Sequence, residues 1–243
     1  MIYKTKAISL HTVKYGDSSL IAYIYTQEHG RITLMVHGAY GRKKTSAKAV
    51  LFQPLSILNI VYYHKGTQAF STLKEVTLDV TFNSIPYDPV KRAIALFVGE
   101  VVYKTIREEE ANPVMYSYLE HSIQLLDLMH QGTSNFHLLF LSQLSRHLGF
   151  YPGNSWSDTL PFFDYKNGLF VSLEPTHPLY FSKERSKMLG LLFSTPFHDA
   201  DNLQFNHKLR SQLIDNILSF YHIHIESVTG IKSLPILSQV FEE

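Results

Sequence analysis

The sequence predicts an α+β chain of two domains, a small closed β-barrel followed by an all-α domain with a non-helical insertion. Three observations carry this. The first eighty residues are rich in Tyr, Val, Ile and Thr and show a two-residue rather than a 3.6-residue period. Past residue 85, proline-initiated helical periodicity takes over. Charge changes sign at the same place: residues 1–80 hold ten basic and four acidic side chains, a net +6, against a formal +1 for all 243 residues. The basic third is therefore the part suited to a polyanion.

Strands are expected over 7–15, 20–27, 31–38, 51–63 and 69–80. In the third, Ile32, Leu34 and Val36 share one face, while Thr33, Met35 and His37 share the other. Gly16-Asp17-Ser18, His29-Gly30 and Lys65-Gly66 supply the turns. Five short strands suit an OB-fold barrel over residues 1–84, with a Tudor- or SH3-like barrel as the alternative.

Asp88-Pro89 and Asn112-Pro113 each place a capping side chain before a proline at the first helical position, opening helices over 90–107 and 114–130. A third helix runs from Ser134 to Leu148 and stops at Gly149. Residues 150–181 are irregular and aromatic, with Asn167-Gly168 as a tight turn between 162–165 and 169–173. Helical periodicity returns over 183–193, 204–224 and 233–241, so the second domain spans 85–243.

Composition narrows the function. With 45% hydrophobic and 18% charged residues the chain can bury a core. Its apolar runs are far shorter than the ~20 residues that cross a bilayer, and no signal-peptide core follows Met1, so a cytoplasmic protein is expected. No cysteine is present, which removes disulfides, thiolate zinc sites and a cysteine nucleophile. His222 and His224 diverge on a helix, no His-Glu-x-x-His occurs, and no metal or cofactor is expected. Phosphate-loop, dinucleotide and serine-hydrolase signatures are missing, which argues against an enzyme.

The segment after the third strand is the sharpest chemical signal. Arg42, Lys43, Lys44 and Lys48 lie within seven residues, beside flexible glycines and Tyr40. Cations that pair with phosphates and an aromatic ring that stacks on a base are the components of a backbone-tracking DNA site. Lys4, Lys6, Lys14, Arg31 and Lys65 are candidates to widen it. The cluster of aromatics from Phe150 through Trp156 to Phe170 is expected to be a small core that packs the insertion onto helices.

Tyr15-Gly16-Asp17-Ser18-Ser19, Glu28-His29-Gly30, Gly38-Ala39, Phe52-Gln53-Pro54-Leu55, Arg146-His147-Leu148-Gly149-Phe150-Tyr151-Pro152 and Gly230-Ile231-Lys232-Ser233 occur in an order and spacing that resemble the RecO family of bacterial recombination mediators, over nearly the whole chain. Many members carry a four-cysteine zinc module after the Leu-Gly segment. This chain does not, and large buried rings in 150–181, worth about 1.5–3 kcal/mol each, are the expected substitute.

The resemblance implies a nucleoid-associated role in RecF-pathway repair. It implies binding of single- and double-stranded DNA, annealing of complementary strands, and partnership with RecR. It also implies contact with the C-terminal tail of single-strand-binding protein and help in loading RecA onto coated strands, with no catalytic residue. Lys91, Arg92, Lys104 and Arg107 on the first helix are the candidate cations for that acidic tail, although neighbours on a helix point apart and only a subset can share a groove. The alternative is a helical protein-interaction scaffold with an incidental barrel.

Overall fold

The computed structural model describes residues 1–40, 48–64 and 70–242. Five strands, β1 (Ile2–Tyr15), β2 (Ser19–Thr26), β3 (Gly30–Val36), β4 (Ile57–Tyr63) and β5 (Ser71–Leu78), close into a barrel of order β1-β2-β3-β5-β4. All pairs are antiparallel except β3 with β5, and this five-stranded Greek-key order is the OB topology. The long β1 pairs with β4 through Ile2–Ile8 and with β2 through Ala7–Tyr15, and its register shifts between Ser9 and His11. The extra residue bends the strand, so that one strand serves two neighbours. Alternation holds inside: Leu20, Ala22 and Ile24 of β2 face Leu34 and Val36 of β3 in one core with Leu58, Ile60 and Tyr62.

Two boundaries differ from expectation by five residues or more. β1 begins five residues early, because Tyr3 and Thr5 find partners in Tyr62 and Ile60 of a distant strand. The strand expected over 51–63 begins only at Ile57: residues 48–52 form a 3-10 turn whose Phe52 plugs the barrel, and Leu55 follows with φ 65°. A positive φ on a leucine cannot continue a strand.

Helices α1 (Pro89–Thr105) and α2 (Pro113–Leu128) follow, α1 capped by Asp88, whose carboxylate accepts from the Val90 and Lys91 amides. Gly99 lets α1 lie close to the barrel, since a Cβ there would sit 3.4 Å from the Leu10 carbonyl and from Pro54. By compactness the barrel and these two helices make one unit, Met1–Leu128, and Met129–Glu243 makes another. Strand periodicity thus gives way to helical periodicity near Ile85-Pro86, while compactness divides the chain at residue 128.

The crossing from β5 to α1 is tied down by one buried carboxylate. Asp127 accepts hydrogen bonds from the amides of Asn83 (2.8 Å), Ser84 (2.8 Å) and Ile85 (2.9 Å). Lys91 donates to Ser84 Oγ and to the Asp127 carbonyl. Burial alone would raise the Asp127 pKa, but the three amides and the Ser84 hydroxyl outweigh it and hold it below the usual value.

The second unit holds α3 (Phe136–His147), α4 (Lys183–Ser194), α5 (His207–His224) and α6 (Leu234–Glu242) and a three-stranded sheet of order β7-β6-β8, made of β6 (Phe162–Asp164), β7 (Leu169–Val171) and β8 (Tyr180–Phe181), with α4 and α5 against β6. The sheet occupies the expected insertion, and the Asn167-Gly168 turn joins β6 to β7 with Gly168 at φ 67°. The aromatic core is there: Phe163 stands 4.7 Å from Phe170 and 5.2 Å from Phe220 between ring centroids. Asn154 donates to the Phe170 carbonyl and accepts from its amide. Asp164 accepts from the Lys166 and Asn167 amides and pairs with His177 at 3.3 Å. β8 had no sequence signal, because two residues are too few to show a period.

Two outcomes follow. Asp127→Ala removes the acceptor of three crossing amides, of which that of Ile85 is buried, and should lower urea stability of the full chain by about 1–3 kcal/mol. Because Asp127 binds its proton more weakly when folded than when unfolded, its contribution is full above the unfolded pKa near 4 and fades as pH falls through the lower folded value; on acid titration the unaltered chain should lose more stability than Asp127→Ala, which keeps only the losses of carboxylates such as Asp79. Purified protein should carry no stoichiometric zinc by elemental analysis, and Phe163→Ala should cost about 3–5 kcal/mol while chelator leaves the melting temperature unchanged.

Candidate nucleic-acid interface

Arg42, Lys43 and Lys44 lie outside the described residues, as does Lys65, but both ends of the loop are described. The Ala49 amide donates to the Ala39 carbonyl at 3.1 Å, and the Tyr40 amide donates to the Ser18 carbonyl at 3.1 Å. The loop therefore leaves and rejoins the barrel rim at nearly one point, beside the β1–β2 hairpin. There Lys14 Nζ stands 5.9 Å from the centre of the exposed Tyr40 ring, and Lys48 opens the 3-10 turn. Lys14, Tyr40 and Lys48 are thus gathered around the loop's base. Lys4 is exposed on β1, opposite Val61 of β4.

Lys6 and Arg31 are committed to partners within the chain. Lys6 Nζ is 2.8 Å from Asp79 and 3.6 Å from Glu120. The hydrogen bond to Asp79 raises the lysine's pKa, and the same bond lowers that of Asp79. Arg31 Nη1 donates to the carbonyls of Tyr103 (2.9 Å) and Ile106 (2.8 Å), which the end of α1 leaves without helical partners. Its guanidinium lies 4.5 Å from the Tyr103 ring centre and 5.4 Å from that of Tyr23. The sequence showed two cations on strands; it could not show the carboxylates and carbonyls that the fold brings to them.

The four cations expected on the first helix separate as well, and Arg107 is not on it, because α1 ends at Thr105 with Ile106 in an extended conformation. Lys91 is 3% exposed within the Asp127 knot, so it cannot line an open groove. Arg92 is exposed. Lys104 stands 3.9 Å from Glu100, and with the exposed Arg107 it lines a cleft beside Arg31, Thr33 and Tyr103.

Two features had not been anticipated. Tyr3 of β1 stacks on Tyr62 of β4, its register partner, at 5.5 Å and 24°, with His29 edge-on to Tyr3 at 4.9 Å. Matching aromatics in two paired strands were visible in the sequence, but the pairing of β1 with β4 was not. In the second unit, α4 and α5 form a groove of about 350 Å³ with Met188, Leu209 and Leu213 as its apolar lining, Arg185 and Lys208 as its cations and Glu184 as its acid. Buried Asn216 also lines it, with a side-chain amide nitrogen that has no hydrogen-bond partner. Nothing in helical periodicity pairs Arg185 with Lys208; packing does.

Among the described residues no group of three or more His, Asp and Glu is placed to hold a metal ion, and no helix is long and apolar enough to cross a membrane.

Known proteins match along the whole chain. Residues 1–82 fit the family described as recombination protein O N terminal, and residues 86–235 fit recombination protein O C terminal. A protein of Phocaeicola vulgatus named DNA repair protein RecO is 36% identical over 241 residues, covering 99% of this chain and 100% of its own. Proteins of the same name from Bacteroides fragilis and Azobacteroides pseudotrichonymphae are 36% and 32% identical, each match covering 100% of both chains. With both halves matched in order and full-length relatives above 30% identity, the chain belongs to the RecO family of DNA repair proteins.

Proposed function

We propose that this chain is a DNA-binding recombination mediator that acts without catalysis of its own. It binds single- and double-stranded DNA through the barrel, anneals complementary strands, and works with RecR to help RecA displace single-strand-binding protein. The observation that carries the reading is an OB barrel whose first eighty residues hold a net +6, in a chain of the RecO family. Annealing needs a cationic surface, because two polyanions must meet. Lys14, Tyr40 and Lys48 at the base of the 41–47 loop, with Arg42, Lys43 and Lys44 within or beside it, and Lys4, are the proposed contacts. The cytoplasm, at the nucleoid, is the proposed location.

For the acidic, aromatic tail of single-strand-binding protein, the α4–α5 groove is a better seat than α1. It joins an apolar floor to two cations, whereas Lys91 is buried and Arg92 lies next to it on a helix. The tail's carboxylates would meet Arg185 and Lys208 while its ring enters between Met188 and Leu213.

Replacing Arg42, Lys43, Lys44 and Lys48 by alanine should lower the salt slope of log K for DNA by roughly 2–3, similarly for all sequences, with folding changed by no more than about 0.5 kcal/mol. A folded quadruple variant with an unchanged slope would remove the loop from the interface, and absence of any DNA binding by the unaltered chain would leave the scaffold reading. For the tail, reversing both Arg185 and Lys208 to glutamate should weaken a fluorescent tail peptide by about tenfold or more. Unchanged peptide affinity in a folded variant would return the search to Arg92 and the rest of the helical surface.

A further inference from the structure

Two clefts in the Met1–Leu128 unit, each of about 290 Å³, share Arg31, Thr33 and Glu109 in their walls. The first is aromatic: Tyr3, Tyr62 and His29 form a ring wall, and the Ser71 hydroxyl, within 3.0 Å of His64 Nδ1, adds a polar edge. The second is cationic, with Lys104 and the exposed Arg107 beside Arg31. Each cleft is at the lower limit of a small-molecule pocket, and the two differ in chemistry, which suits a ligand with a flat ring at one end and an anion at the other.

The segment that carries Arg107 and Glu109 is fastened in place. The Arg31 amide donates to the Glu108 carbonyl at 2.9 Å, and the Arg31 guanidinium holds the carbonyls of Tyr103 and Ile106. Gly30 allows the approach: a Cβ there would lie 2.4 Å from the Glu110 carbonyl oxygen. A basic and an acidic side chain are thereby presented to the barrel surface from the linker after α1, where the helical periodicity of the sequence keeps Arg107 on the helix.

We propose that the paired clefts hold one nucleotide of an unpaired DNA strand, with the base against Tyr3 and His29 over Tyr62, the phosphate at Arg107 and Lys104, and the Glu109 carboxylate accepting from an exocyclic amino group. This rests on the proposed function and adds to it a base preference. Cytosine carries an amino donor and thymine carries none, so a carboxylate separates them. A strand is the ligand rather than a free nucleotide, because shallow clefts bind weakly alone and gain from a chain already held by Lys4, Lys14 and the loop. Arg107 and Lys104 thereby become nucleic-acid contacts supplied from outside the barrel strands.

The test is fluorescence anisotropy of the full chain with oligodeoxycytidylate, oligothymidylate and duplex of equal length. The unaltered chain should prefer oligodeoxycytidylate by about fivefold, and Glu109→Ala should bring the two single strands to equality, chiefly by tightening thymidylate. Tyr3→Ala should weaken single strands about tenfold and duplex by less than twofold, with Tyr3→Phe restoring binding. Arg107→Ala should lower the single-strand salt slope by about 0.7. Melting curves that coincide with the unaltered protein keep these results separate from unfolding. A cytidylate preference that is absent, or that survives Glu109→Ala, overturns the proposal. So do Tyr3 and Arg107 variants that bind as the unaltered chain does, and free deoxycytidine monophosphate competing as well per nucleotide as the strand. If the unaltered chain binds no DNA of any kind, the proposed function fails first, a result distinct from binding that ignores these three residues.

Discussion

The arginine on β3 holds the first unit's layers together. A helix end leaves carbonyls without partners, and leaving them buried and unpaired would cost about 1–3 kcal/mol each. Arg31 answers two of them with one nitrogen, and its backbone amide takes the carbonyl of Glu108. A single residue thus fixes where α1 stops, how the following linker runs, and which side chains border the barrel at that place. The Asp127 knot does the same at the other end of α1, where three amides of the β5–α1 crossing converge on one carboxylate from α2. Between these ties the helix pair belongs with the barrel by compactness, although its sequence pattern belongs with the helices that follow.

Net charge therefore overstates the surface available to DNA. Of the cations in the first eighty residues, Lys6 is paired with Asp79 and Glu120, and Arg31 is committed to carbonyls and two tyrosine rings. Among the other described cations Lys74 of β5 pairs with Glu75, Lys14 and Lys48 stand at the base of the 41–47 loop, where Lys14 meets Tyr40, and Lys4 is exposed on β1. This concentrates the proposed interface rather than spreading it over the barrel, and it moves part of the proposed cationic surface onto Arg107 in the linker after α1.

The insertion shows how a small sheet is held without thiolates. Three short strands cannot bury enough surface alone. Here Phe170 and Phe181 pack on Phe163, which meets Phe193 and Phe220 of the helices, and Asn154 supplies strand-like hydrogen bonds to the edge of β7. Asp164 closes the turn through two amides and the Asn167 side chain.

The sequence by itself determined what local chemistry decides. Alternation in β3, the Asp88-Pro89 and Asn112-Pro113 helix starts, the Asn167-Gly168 turn and the aromatic nature of the insertion's core all depend on neighbours within a few residues, and all were legible. The basic loop was legible too, as composition. Tertiary structure decided which cations stay available and which rings meet. Lys6 with Glu120, Arg31 with Ile106, Tyr3 with Tyr62 and Arg185 with Lys208 join residues that are distant in the chain, and no periodicity encodes a partner 23 to 114 positions away. The start of β4 is a mixed case: Pro54 already argued locally against a ladder through 51–56, while the burial of Phe52 in the barrel core and the positive φ of Leu55 are set by the fold.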